Sequence, residues 1–134
     1  MNYRIGLLAC FIAMGFAGLC GAAPAAPNLP GNWGLSFDEE FNAPLSSSTW
    51  KQSLWGLTNW STESQQYSPT AVSVSNGMLS LTATKKALDG FPYTSGMIDT
   101  GPILGQQPTG YSFRYGYADA RIKVVAGQGL WPAF

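Results

Sequence analysis

Everything beyond about position 34 predicts an all-β domain, a sandwich or a barrel of short strands. Three observations carry this. Apolar residues recur at a period of two, as they do along a strand with one wet and one buried face. Asn76-Gly77 sits between two such alternating runs, a strong signal for a two-residue hairpin turn. No segment beyond the N-terminal apolar run carries the 3.6-residue period of a helix of three turns.

The N-terminal segment stands apart from that pattern. Arg4 gives a short positive head, 5–19 is an apolar run, and 21–26 is rich in small residues, so 1–25 reads as an export leader. Cleavage after Ala25, with Ala23 two positions before it, fits best, and Ala22 is an alternative. The run is short for a span of about 20 residues, and Gly15, Gly18 and Pro24 weaken it as an anchor. Leu19 before Cys20 fits a lipoprotein signal poorly. The expected product is secreted, extracellular or periplasmic, with no membrane attachment after cleavage. Residues 26–34 follow as a proline- and glycine-rich leader or linker.

The strands follow in order. In LSFDEEF (35–41), Leu35, Phe37 and Phe41 lie two or four apart. Val72 and Val74 form the strand before the Asn76-Gly77 turn, and Leu79, Leu81 and Ala83 alternate with Ser80, Thr82 and Thr84 after it. The longest candidate runs over 113–125. Gly116, Ala118, Ala120, Ile122 and Val124 share one face, and Tyr115, Tyr117, Asp119, Arg121 and Lys123 the other. Arg121 near Asp119 reads as a surface pair of about 0–1 kcal/mol.

Composition narrows the chemistry. The sequence has no histidine, and its two cysteines, Cys10 and Cys20, both lie in the leader. Ser-His-Asp and Cys-His nucleophile systems are therefore excluded within these residues, as are structural zinc sites and histidine-based catalytic metal sites. No disulfide is available to the mature chain. Losing Arg4 leaves six basic against seven acidic residues, a net charge of 6 − 7 = −1. There is no basic patch for nucleic acid and no acidic tract for a polycation. Chemistry must rest on carboxylates, tyrosines, arginines or lysines, and neutral partners with carboxylate chemistry point towards glycosides. No cofactor and no metal are expected.

Four ordered segments carry a resemblance: FDEEFN (37–42), ESQQYSPTAVSVSNGMLSLTAT (63–84), YTSGMIDT (93–100) and YGYADARIKVVAGQGLWPAF (115–134). Together they resemble glycoside hydrolase family 16, the laminarinase and lichenase group. That resemblance implies a concanavalin A-like jelly-roll sandwich over 35–134, incomplete in this chain. It also implies a β-glucan polysaccharide or oligosaccharide as partner and a monomer at full length. The implied reaction is endo-hydrolysis of β-1,3 or mixed β-1,3/1,4 linkages, through a retaining mechanism with two glutamates about 5 Å apart. The family's Glu-x-Asp motif with its following Glu is expected beyond Phe134. No such pattern occurs in residues 1–134, so no catalytic residue is carried over, and the 134-residue chain alone is expected to be inactive. A chain of about 110 residues after cleavage is also short beside the 200–250 typical of all-β sandwiches. The apolar ending GLWPAF reads as an interrupted domain. The alternatives are a lectin-like binding module that lacks the glutamates and a transglycosylase on the same fold.

Five residues are candidates for substrate binding. Glu63 and Gln65 share one strand face with Tyr67, and in the family this region lies along the sugar cleft. Asn59 and Trp60 lie just upstream. Trp131 offers a flat indole able to stack on a pyranose, in a motif the family places near the minus subsites. Asp38 and Glu40 lie two apart and would face the same way at about 7 Å, between the retaining and inverting separations. They are nevertheless expected to be the polar face of an early strand. Met97 stands where many members carry arginine, and a thioether replaces none of a guanidinium's hydrogen bonds.

Overall fold

The computed structural model describes residues 2–7, 27–54, 57–60, 62–101 and 110–134. Among these residues, seven strands and one short 3-10 helix run in the order β1 (Asn2–Leu7), β2 (Trp33–Glu39), β3 (Gln65–Tyr67), η1 (Pro69–Ala71), β4 (Val72–Ser75), β5 (Met78–Leu81), β6 (Tyr93–Ser95) and β7 (Gly116–Ala120). The expected all-β class is therefore observed. The strands form three small sheets, β2-β1-β7, β3-β6 and β4-β5, so the jelly-roll expectation is met by short and incomplete sheets. The described residues group into two compact units. One comprises the described residues of 2–42, 76–78 and 113–134, and the other the described residues of 43–75 and 79–112.

In the first unit β1 is the middle strand. It runs parallel to β2, from Asn2↔Trp33 to Leu7↔Glu39 with one register shift after Arg4, and parallel to β7, from Tyr3↔Gly116 to Leu7↔Ala120. The leader expectation covers this segment, and 8–26 lie outside the described residues. Trp33 and Tyr117 meet edge to face, with ring centroids 6.3 Å apart at 74°, a geometry that sets one ring's positive edge against the other's negative face.

Just past β2 the chain turns sharply. Phe41 takes a left-handed φ of 52° and is only 3% exposed. A bulky side chain pays about 1–2 kcal/mol for that conformation. Burial of the ring, of order 1.5–3 kcal/mol, offsets it. The Glu39 carboxylate Oε1 accepts the Phe41 N–H at 2.9 Å, which fixes the corner. The long strand expected over 113–125 is shorter than its alternation implies, ending at Ala120. Its proposed apolar face does not continue into a core, because Ile122 is 53% and Val124 63% exposed.

The second unit holds β3, β4 and β6 and, from Leu79 onward, β5. β3 and β6 pair in parallel through Gln65↔Tyr93, Gln66↔Thr94 and Tyr67↔Ser95, and the Ser68 N–H donates to the Ser95 carbonyl at 3.0 Å. Ser68 then caps η1, its Oγ accepting the Thr70 N–H at 3.3 Å, with Pro69 opening the turn where its missing N–H costs nothing. The hairpin expected at Asn76-Gly77 forms between β4 and β5, with φ of 52° and 68°. Both central residues left-handed is the type I′ geometry that matches strand twist.

A second turn of this kind lies at Asp89-Gly90, with φ of 49° and 87°. Leu88 and Phe91 exchange backbone hydrogen bonds of 3.0 and 2.9 Å across it. Gly96 is required by a close approach. A Cβ there would collide with the Ala71 carbonyl and stand 3.1 Å from the Leu81 Cα.

Backbone atoms cannot yield as a flexible side chain can. Gly96→Ala is therefore expected to lower stability by about 1–3 kcal/mol or prevent folding, while Gly77→Ala costs about 1–2 kcal/mol through its left-handed φ alone. Chemical denaturation of the two variants checks the order. Equal midpoints for Gly96→Ala and the parent would contradict the close packing.

Candidate functional site

Four of the five candidate residues come together in the second unit, and three of them are tied by side-chain hydrogen bonds. Their geometry starts with Asn59. Its Nδ2 donates to the Glu63 carbonyl at 3.1 Å and to the Gln65 carbonyl at 2.6 Å. Both amide hydrogens are thus committed to backbone, and the loop from 59 to 65 is held in one conformation. Asn59 shapes the site as an anchor, with its carbonyl oxygen left as the group that can meet a ligand. The Tyr67 N–H donates to the Thr58 carbonyl at 2.6 Å and closes the same loop from the other side.

On that frame, Tyr67 Oη donates to Glu63 Oε2 at 2.9 Å and accepts from Gln65 Nε2 at 3.1 Å. β3 begins at Gln65, so Glu63 belongs to the loop rather than to the strand. Its carboxylate nevertheless reaches the side chains that alternation groups with it. Glu63, Gln65 and Asn59 are half-buried, while Tyr67 is 9% exposed. The result is one carboxylate, one primary amide and one phenol held at fixed separations on a partly desolvated surface. Such a set offers acceptors and donors to hydroxyl groups. One carboxylate alone supplies neither the acid/base pair nor the nucleophile pair of a glycosidase.

The phenol of Tyr67 is pushed above its ordinary value of 10.0, first by burial and then by its hydrogen bond to Glu63, whose negative charge adds to the effect. The Gln65 amide opposes it. Proton binding is tighter in the folded state than in the unfolded chain. The stability this contributes is fully present below about pH 10 and is lost as pH rises through the folded value.

The remaining candidates stand as follows. Trp60, beside Asn59 in sequence, is 46% exposed. Trp131 belongs to the first unit and is 92% exposed. It is therefore a surface indole rather than a core one, in a segment outside the strands. Asp38 lies within β2 and Glu40 just beyond its end, where the backbone turns at Phe41, so no continuing strand face aligns the two carboxylates. Glu40 is raised above its ordinary value by burial and then by the charges of Asp38 and Glu39. Among the described residues no group of three or more potential metal ligands is found.

Sequence reasoning missed two side chains beneath the site. Gln66 is 6% exposed and donates from Nε2 to Asp89 Oδ2 at 3.2 Å. Its neighbour in register, Thr94, is 4% exposed and donates from Oγ1 to the Lys86 carbonyl at 2.8 Å. Asp89-Gly90 is itself a turn signal, but nothing local in the sequence links it to β3 across 23 positions.

Comparison with known proteins gives two distant relatives. The chain is 33% identical over 124 residues to the endo-1,3-1,4-beta-glycanase ExsH of Rhizobium meliloti (strain 1021), a match covering 74% of this chain and 25% of that protein. It is 31% identical over 104 residues to the clotting factor G alpha subunit of Tachypleus tridentatus, covering 76% of this chain and 14% of that protein. The chain thus spans about a quarter and about a seventh of these relatives. No family model matches the sequence, and no solved structure matches it. The similarity to a named glycanase supports a β-glucanase-like resemblance at low identity.

Tyr67→Phe removes the hydroxyl that joins Glu63 to Gln65. It is expected to cost about 1–2 kcal/mol at pH 7 and to abolish Tyr67's share of the stability loss above pH 10. Denaturation at pH 7 and pH 10.5 measures both, and an unchanged alkaline loss would contradict the network.

Proposed function

We propose that the Asn59, Glu63, Gln65 and Tyr67 surface binds the hydroxyl groups of a β-glucan, and that residues 1–134 belong to a secreted, monomeric β-glucan hydrolase of the glycoside hydrolase family 16 type. The observation that carries this reading is the Glu63–Tyr67–Gln65 network on a half-buried surface. A carboxylate and an amide held by a phenol form an array of hydrogen-bonding groups for a neutral polyol, and charge-assisted bonds from hydroxyls to a carboxylate are the stronger kind. Trp60, next to Asn59 in sequence and 46% exposed, and Trp131, 92% exposed in the first unit, are indoles of the kind on which carbohydrate rings stack. The similarity to a protein named an endo-1,3-1,4-beta-glycanase points to the same substrate class.

The division of labour follows from the carboxylates. Glu63 is the one carboxylate in the network, so these residues contribute binding and orientation. Cleavage in the reading proposed here uses two further glutamates outside 1–134. One would attack the anomeric carbon while the other protonates the leaving oxygen; water, giving its proton back to that second glutamate, would then break the glycosyl-enzyme bond and free the sugar. Secretion rests on the leader-like 1–25. Its removal takes β1 with it and leaves β2 and β7 without that shared neighbour.

Glu63→Gln keeps an acceptor for Tyr67 but removes the charge. It is expected to weaken binding of a soluble β-1,3-linked gluco-oligosaccharide about tenfold or more, with a melting temperature only slightly below that of the parent. Isothermal titration checks this, with a β-1,4-linked oligosaccharide as the comparison. Equal affinity of parent and variant would sink the assignment of this surface. For the whole protein, reducing-sugar release from laminarin against lichenan reads the linkage.

A further inference from the structure

The β3–β6 pair is only three residues long, yet it carries Gln65 and Tyr67. The segment from Thr84 to Thr94 leaves the hairpin sheet, turns at Asp89-Gly90 and returns. Thr84 and Thr94 exchange backbone hydrogen bonds of 2.8 and 3.0 Å at its base. Two buried side chains in register, Gln66 on β3 and Thr94 on β6, both bond this arm. Thr94 holds the Lys86 carbonyl, and Gln66 holds the Asp89 carboxylate.

Gln66 is costly to keep. Its Oε1 is buried and has no hydrogen-bond partner among the described residues, which carries a desolvation penalty an apolar residue would avoid. Exchanging the two amide atoms would set oxygen against the Asp89 carboxylate, so the orientation is fixed by charge. The one bond Gln66 makes is thus the reason a buried amide is tolerated in the middle of β3.

We propose that Gln66 and Asp89 are positioning residues for the sugar-binding surface. The Asp89-Gly90 turn buttresses β3 through the Gln66 amide and so sets Gln65 and Tyr67 against Glu63. Neither residue touches the ligand. The inference rests on the reading of that surface as a glucan site, and its test separates the two.

Two substitutions at Asp89 isolate the bond from the turn, because both suit the left-handed conformation that position requires. Asp89→Gly removes the acceptor, and Asp89→Asn keeps one. In the full chain, Asp89→Gly is expected to weaken binding of a soluble β-1,3-linked gluco-oligosaccharide about fivefold or more. Asp89→Asn should stay within about twofold of the parent. Amide hydrogen exchange at Gln65, Gln66 and Tyr67 is expected to quicken in the glycine variant and to recover in the asparagine variant. Equal exchange in the parent and Asp89→Gly overturns the buttress whether or not sugar binds. Quickened exchange in a protein that binds no glucan supports the buttress and removes the ligand reading instead. Quickened exchange with unchanged affinity overturns the positioning role.

Discussion

The site depends on where β3 is held. Three residue pairs to β6 and the Ser68–Ser95 hydrogen bond set its register. A slip of one residue would turn Gln65 and Tyr67 to the opposite face and present Gln66 in their place. The packing around this pair is accordingly tight. Gly96, directly after β6, lies against the Ala71 carbonyl with no room for a methyl group, and Ala71 closes the 3-10 turn that follows β3. Backbone contact therefore fixes the pair from one end.

Electrostatics follows from that placement. A carboxylate on a loop and a phenol on a strand meet because Asn59 spends both of its amide hydrogens on the loop's carbonyls. Burial first, and then the bond to Glu63, make the phenol keep its proton more tightly. At neutral pH it therefore donates to Glu63 and leaves the carboxylate's other lone pairs to outside donors. The acidic run at 38–40 has the opposite character. Burial, and then the charges of Asp38 and Glu39, raise Glu40, while the ordered role there belongs to Glu39 in capping the Phe41 corner.

Period-two patterning made β2, β4, β5 and β7 legible, and Asn76-Gly77 located its hairpin turn, because both signals are local. Alternation overstated the last strand. Residues 121–125 keep the pattern but are exposed and lie outside it, since a pattern specifies a face only where something covers it. β1 was not anticipated as a strand, because an apolar run behind a positive head reads equally as a leader, and periodicity alone does not separate strand from buried helix. Glu63, Gln65 and Tyr67 were grouped by alternation. Their own hydrogen bonds span only four and two positions, but the support from Gln66 and the pairing with β6 join residues 23 or more positions apart, and no local signal encodes those.

Side-chain resonances test the central claim most directly. A soluble β-1,3-linked gluco-oligosaccharide titrated into the labelled chain should shift the Gln65 amide and the Glu63 carboxylate together, with one saturating isotherm. Asn59 and the Trp60 indole should move on the same curve. Saturable binding that leaves Glu63 and Gln65 unmoved, or no binding at all, would contradict the assignment of this surface to a β-glucan.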